Sequence, residues 1–386
     1  MAKSKIKKRK NKNNEILSII RCFFLFNCKR GKNLRGKRKI SKPSVREKPT
    51  DNIKLIKHPQ NPIIAPSYYS WETKATFNPA AVESNGKVHL LYRAIGDDDN
   101  SVLGYASSFD GVRISERPTY AVYKRYFNRI ENGHDSPINY ISGGGWSGGC
   151  EDPRLSLIDD TLYMLYTAFD GWHSVRIALT SIPFKDFKKK RWNWARPVLI
   201  SEPGSMSKNW VLFPEKIKGK YAILHSISDG VLINYFDDLK ELDGKKFIKS
   251  ISREAREEAV RKTGRRGVGP TPIKTRDGWL VLYHISEDGK YKIKAMVLDL
   301  KDPTKILYKS KKAILEPEED YENNGIAWGI VYSCGAVVKG GELFVYYGGA
   351  DKFVCVASVA LDELLDGIKQ NKQIKLIKKE KMNSNK

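Results

Sequence analysis

Five copies of one short pattern constrain this chain more than anything else in it. Each copy has an apolar run ending in Leu-Tyr or a near match, a polar turn, and a second run of alternating apolar and polar residues. They are KVHLLYRAIGDDDNSVLGYASSFDG, TLYMLYTAFDGWHSVRIALTSIPFKDF, KYAILHSISDGVLINYFDDLKEL, GWLVLYHISEDGKYKIKAMVLDL and ELFVYYGGADKFVCVASVALDEL. Aligned on Tyr92, Tyr166, His225, Tyr283 and Tyr347, they stand 74, 59, 58 and 64 residues apart. Period-two alternation, β-branched and aromatic residues and Asp/Gly turns make each copy a β-hairpin. Five small antiparallel sheets that cannot cover their own faces predict an all-β chain folded as a five-bladed β-propeller, because radial packing buries the faces and leaves only short edges. Long helical periodicity is absent apart from stretches such as REAREEAVRK near residue 253.

The net charge of +25 suggests a nucleic-acid partner until it is located. Residues 1–50 hold 18 Lys and Arg against 2 Glu, and residues 369–386 hold 7 Lys against 1 Glu, so the two ends carry +16 and +6 and leave +3 for everything between. The sequence therefore divides into a basic extension over 1–51, expected to be disordered, a propeller domain over 52–368 and a Lys-rich tail over 369–386. The run ILSIIRCFFLF in the extension carries Arg21 and is too short to span a bilayer, although a basic, apolar segment of this kind suits an anionic membrane surface. No specific nucleic-acid site is expected in the core. Five scattered cysteines with no CxxC pair argue for reduced thiols in a cytoplasmic protein and against a metal site.

The residue after each aligned aromatic is Arg93, Thr167, Ser226, His284 or Gly348. Equivalent positions in successive blades sit at equivalent depth, so this polar or small set predicts a central funnel for an anionic or hydroxyl-rich ligand. A second feature is GGCEDPRLSL at Gly148, which reads as a loop leading into a strand over Leu155–Ile158. Its adjacent acids, Glu151 and Asp152, form either a solvated turn held by Arg154 or a carboxylic acid presented at a strand mouth.

Several ordered blocks decide between these: HPQNPIIAP at His58, FNPAA at Phe77, LLYRAIGDDD at Leu90, SSFDG at Ser107, GGCEDPRL at Gly148, NWVLFPEKIKGKY at Asn209, GVGPTPIKTRDGWLVLYH at Gly267 and YYGGAD at Tyr346. With them the chain resembles glycoside hydrolase family 130, the β-mannoside phosphorylases and their hydrolytic relatives. The resemblance implies the same five-bladed propeller and an inverting cleavage of β-mannosides by inorganic phosphate, giving α-mannose 1-phosphate and a shortened sugar. It makes Asp152 the general acid, its proton passing by way of a mannose hydroxyl, with Glu151 as a neighbour shaping the site and Arg154 orienting one of the two acids. Its phosphate ligands fall on Lys208, Asn209, Arg265 and His284. Two departures stand out: Lys208 replaces an arginine, and Ser226 replaces a further arginine.

Sugar contacts are implied at Asn78, Arg93, Asp97 and Asp351, with Tyr166, Tyr347 and Trp328 as candidates for apolar contact with sugar faces. No cofactor is implied beyond phosphate as co-substrate. The alternatives are a β-mannosidase of the same fold, mannosyl transfer from an activated donor, or a non-catalytic sugar-binding propeller. The insert between Val122 and Trp146 is expected to wall the acceptor side. Helical extensions support homo-oligomers in the family, and residues 369–386 would supply one.

Overall fold

A computed structural model describes residues 53–124, 148–169, 175–204, 206–228 and 230–370. The basic extension, most of the insert after Val122 and the tail beyond residue 370 lie outside the described residues. The chain opens with a two-residue strand, β1 (Ile56–Lys57). Blade 1 is β2 (Ala75–Ser84), β3 (Lys87–Ile95), β4 (Asn100–Ser108) and β5 (Ile114–Glu116). Blade 2 is β6 (Gly148–Ile158), β7 (Thr161–Phe169), β8 (Val175–Pro183) and β9 (Val198–Leu199). Blade 3 has β10 (Val211–Leu212), β11 (Tyr221–Ser226) and β12 (Leu232–Phe236). Blade 4 has β13 (Arg266–Val268) and β14 (Ile273–Thr275), both paired to β15 (Gly278–Glu287), then β16 (Lys290–Leu298) and β17 (Ile306–Lys309). Blade 5 has β18 (Val331–Lys339), β19 (Glu342–Gly349) and β20 (Phe353–Ala360), and β1 returns to pair with β20. The five repeats are the hairpins β3–β4, β7–β8, β11–β12, β15–β16 and β19–β20.

Alternation within the strands builds a closed ring. On β15, Leu280 and Leu282 face blade 5 while Trp279, Val281 and Tyr283 face blade 3. On β19, Leu343, Val345 and Tyr347 face blade 4 while Phe344 and Tyr346 face blade 1. The same division gives separate apolar cores between blades 1 and 2, 2 and 3, 3 and 4, 4 and 5, and 5 and 1. The last of these closes the five-bladed β-propeller. A helix over 361–370 seats Leu364, Leu365 and Ile368 on the core between blades 4 and 5.

The helical stretch near residue 253 is a helix, Arg253–Thr263, capped by the Ser252 side chain and ended at Gly264 with φ +72°. Among the described residues no helix is long and apolar enough to cross a membrane.

The segment GGCEDPR is not a loop. It belongs to β6, whose register shifts between Glu151 and Arg154, so Asp152 and Pro153 form a bulge inside a strand. The bulge resolves the conflict seen in the sequence: proline offers no ladder donor, and a bulged position needs none. Gly149, at φ +120°, lets β6 run beside β4, since a Cβ there would stand 2.1 Å from the Ser101 carbonyl oxygen.

Candidate active site

The strand entering each blade is broken at the same level. The register shifts between Phe77 and Ala80 on β2, between Glu151 and Arg154 on β6, and between Ser333 and Gly335 on β18. Asn209 stands two residues before Val211, the start of β10, and Gly269–Pro270 opens the four-residue break between β13 and β14. Asn78, Asp152 and Asn209 take left-handed φ of +47°, +51° and +65°, and Ala350 and Asp351 in the β19–β20 turn take +50° and +52°. Non-glycine residues rarely adopt this conformation, and its recurrence at the breaks turns polar side chains toward one centre.

There they meet. Asp152 Oδ1 accepts from Asn78 Nδ2 at 2.9 Å and from Arg93 at 3.2 Å. Arg93, only 1 % exposed, also donates to Glu151 at 2.7 Å and to Ser101 at 2.9 Å, and its guanidinium lies 4.7 Å from the Phe77 ring centre. The Lys208 ammonium stands 3.5 Å from Glu151 Oε2. Burial, and then Asp152, push the Asp351 carboxyl up to about 7 against the opposing pull of Arg93 and Lys208. Burial and the Arg93 guanidinium push Lys208 down to about 7. Three acids and two cations thus share one small region.

A second half of the site lies beyond Arg154. Its guanidinium donates to the backbone carbonyls of Asp152, Val268 and Gly269, to Asn209 Oδ1 and to the Tyr332 hydroxyl. The opposite side of the Asn209 amide lies 3.5 Å from His284 Nε2. Burial, reinforced by Arg154 and Lys208, pushes His284 down to about 3, so it serves as a neutral hydrogen-bonding group. Asn78 Oδ1, Thr167 Oγ1 and His284 Nδ1 are buried without a protein partner. Such atoms in a native fold call for ligand oxygens or water.

Of the residues expected from the sequence, Asp152, Asn78, Arg93, Asp351, Lys208, Asn209 and His284 are brought together. Asp97 and Arg265 are exposed. Asp97 sits on the β3–β4 turn, where it accepts from the Thr73 hydroxyl at 2.6 Å. The Arg265 carbonyl accepts from the Ser286 backbone, and its side chain makes no hydrogen bond or ion pair with the cluster among the described residues.

Tyr166 and Tyr347 belong to the core, whereas Trp328 is 58 % exposed under the Lys290 ammonium. Of the ring predicted after the aligned aromatics, Arg93 and His284 join the site directly. Thr167 pairs with Glu151, and Gly348 packs so closely that a Cβ would stand 2.1 Å from Asn78 Oδ1. Ser226 is buried at a bulge in β11, its hydroxyl facing its own Ser228 amide. Tyr332 was not legible from motifs. Among the described residues no three His, Cys, Asp or Glu side chains converge as metal ligands.

The family described as β-1,4-mannooligosaccharide phosphorylase matches residues 38–370. A 1,2-β-oligomannan phosphorylase of Thermoanaerobacter sp. (strain X514) is 37% identical over 325 residues, covering 81% of this chain and 99% of that protein. A β-1,4-mannooligosaccharide phosphorylase of Ruminococcus albus is 26% identical, covering 87% and 98%. Among solved structures, the complex of the Listeria innocua β-1,2-mannobiose phosphorylase with β-1,2-mannobiose superposes with a TM-score of 0.61 at 26% identity, covering 82% of this chain and 99% of that one.

Proposed function

The chain belongs to glycoside hydrolase family 130, and from that premise we propose that it cleaves β-mannosides with inorganic phosphate, inverting the anomeric centre. Phosphate oxygen attacks the anomeric carbon while the bond to the leaving oxygen breaks; that oxygen takes the electron pair and a proton originating on Asp152, directly or through a mannose hydroxyl. The products are α-mannose 1-phosphate and a shortened sugar. The observation that carries this reading is the pairing of a held carboxyl, Asp152, with a neighbouring set of Lys208, Asn209 and His284, whose Nδ1 is unpartnered.

A phosphorylase needs no second carboxylate as a base, and Glu151 is already tied to Arg93 and Lys208. Asn78, Arg93 and Asp351 suit the vicinal hydroxyls of the mannose. Identity of 37% to a β-1,2 enzyme against 26% to a β-1,4 enzyme favours β-1,2-linked oligomannosides.

Incubation with β-1,2- and β-1,4-manno-oligosaccharides, with and without inorganic phosphate, tests the reading by its product. Phosphate-dependent mannose 1-phosphate supports it. The second reading, hydrolysis, draws on Ser226 in place of an arginine, and free mannose formed equally well without phosphate would establish it.

Lys208 supplies a further expectation. A phosphate ligand that titrates near 7 loses its charge as pH rises, so the KM for phosphate should climb from about pH 6 to about pH 9. Phosphate changes its own charge over the same range, so Lys208→Arg is the proper comparison. An arginine keeps its charge, and the ratio of the two KM values should widen several-fold with pH. A constant ratio would remove Lys208 from the phosphate site.

A further inference from the structure

We propose that Arg154 and Tyr332 are positioning residues that fix the side-chain amide of Asn209 so that its NH2 group faces the phosphate pocket. The inference rests on the phosphorylase reading, but its geometry stands apart from that reading. Asn209 Oδ1 accepts from Arg154 Nη2 at 3.0 Å and from the Tyr332 hydroxyl. A guanidinium has donors only, so turning the amide over would set N–H groups against N–H groups and break the bond to Arg154. Arg154 therefore dictates which end of the amide looks outward.

Arg154 cannot easily swing away to release it. Its Nε donates to the Gly269 carbonyl at 3.1 Å and its Nη1 to the Asp152 carbonyl at 2.6 Å. With Oδ1 fixed, Nδ2 points to the side of His284 Nε2. Gly267 keeps that space open, since a Cβ there would stand 2.3 Å from Asn209 Nδ2 and 2.4 Å from His284 Nε2. The Tyr332 ring meanwhile lies 4.5 Å from the His284 ring, so one tyrosine backs both groups that would touch phosphate.

The pocket is thus oriented from behind by residues that do not themselves bind the anion. They come from blades 2 and 5, acting on Asn209 at the entry to blade 3 and His284 in blade 4. Arg154 also holds the backbone of Asp152, which ties the acid to the phosphate-facing amide through one side chain.

Steady-state kinetics with inorganic phosphate and a mannobiose test the proposal. Tyr332→Phe keeps the ring against His284 and deletes one donor to Asn209. The KM for phosphate should rise about tenfold, the effect of one well-placed hydrogen bond, while the mannoside KM and the melting temperature stay near the wild-type values. Arg154→Lys should move the phosphate KM further in the same direction.

Equal changes in both KM values would indicate a merely structural role and overturn the proposal, as would no change in either. The wild-type arm separates this from failure of the parent reading. Turnover that ignores phosphate in the wild type removes both, whereas phosphate-dependent turnover that Tyr332→Phe leaves unmoved removes the positioning role alone.

Discussion

Asp152→Asn should lower kcat for mannoside phosphorolysis by about 10³-fold while leaving the fold intact. The substitution preserves volume and can still face Asn78 and Arg93, whose bonds hold Oδ1. It removes the acidic proton, and the adjacent Glu151 does not replace it, being engaged by Arg93 and Lys208. The measurement is the rate of mannose 1-phosphate release from two substrates, a mannobiose and an aryl mannoside with an acidic phenol as leaving group. A phenolate departs without protonation, so its rate should fall much less. A loss of the same size on both would mean that Asp152 binds the sugar and donates nothing.

Arg93→Met should be the most damaging single change for stability. Arg93 is fully buried between Glu151 and Asp152, and it also holds down the pKa of Asp351. Its removal leaves buried carboxylates with Lys208 as their remaining cation in the cluster, at a cost of about 3–5 kcal/mol. The sign with pH follows from the same groups. Carboxyls that have lost their cation take up protons in the folded state above the pH at which they do so in the unfolded chain. The variant then gains stability as pH falls and loses it as pH rises. Urea unfolding should show a larger gap between wild type and variant at about pH 8 than at about pH 5. A gap independent of pH would show that Arg93 acts through packing on Phe77 rather than through charge.

The hairpins were legible because period-two patterning and Asp/Gly turns act over a few residues, and the ring of Arg93, Thr167 and His284 followed from counting along equivalent strands. The entry strands were harder to read. Asn78, Asp152, Asn209, Gly269 and Cys334 stand 14, 14, 16, 14 and 13 residues before the aligned aromatics, so the breaks repeat as regularly as the hairpins do. Three of the five are followed by proline. Read alone, each Asn-Pro, Asp-Pro or Gly-Pro looks like a turn, and only the partner strand reveals a bulge.

Tyr332 and Arg154 show a different limit. Their roles depend on meetings 178 residues apart in sequence, which no local pattern encodes. Asp97 lies within a matching motif and Arg265 two residues before one, yet both side chains rest exposed.

The clasp between β1 and β20 makes the first strand wait for the last. Ile56 pairs with Ser358 and Lys57 with Ala357, and the core between blades 5 and 1 joins Val88, Leu90 and Tyr92 of β3 to Phe344 and Tyr346 of β19. On the ribosome, blades 1 to 4 can assemble in order as they emerge, but the ring stays open until blade 5 has left the exit tunnel. Until then the apolar face that blade 1 turns toward blade 5 stays uncovered.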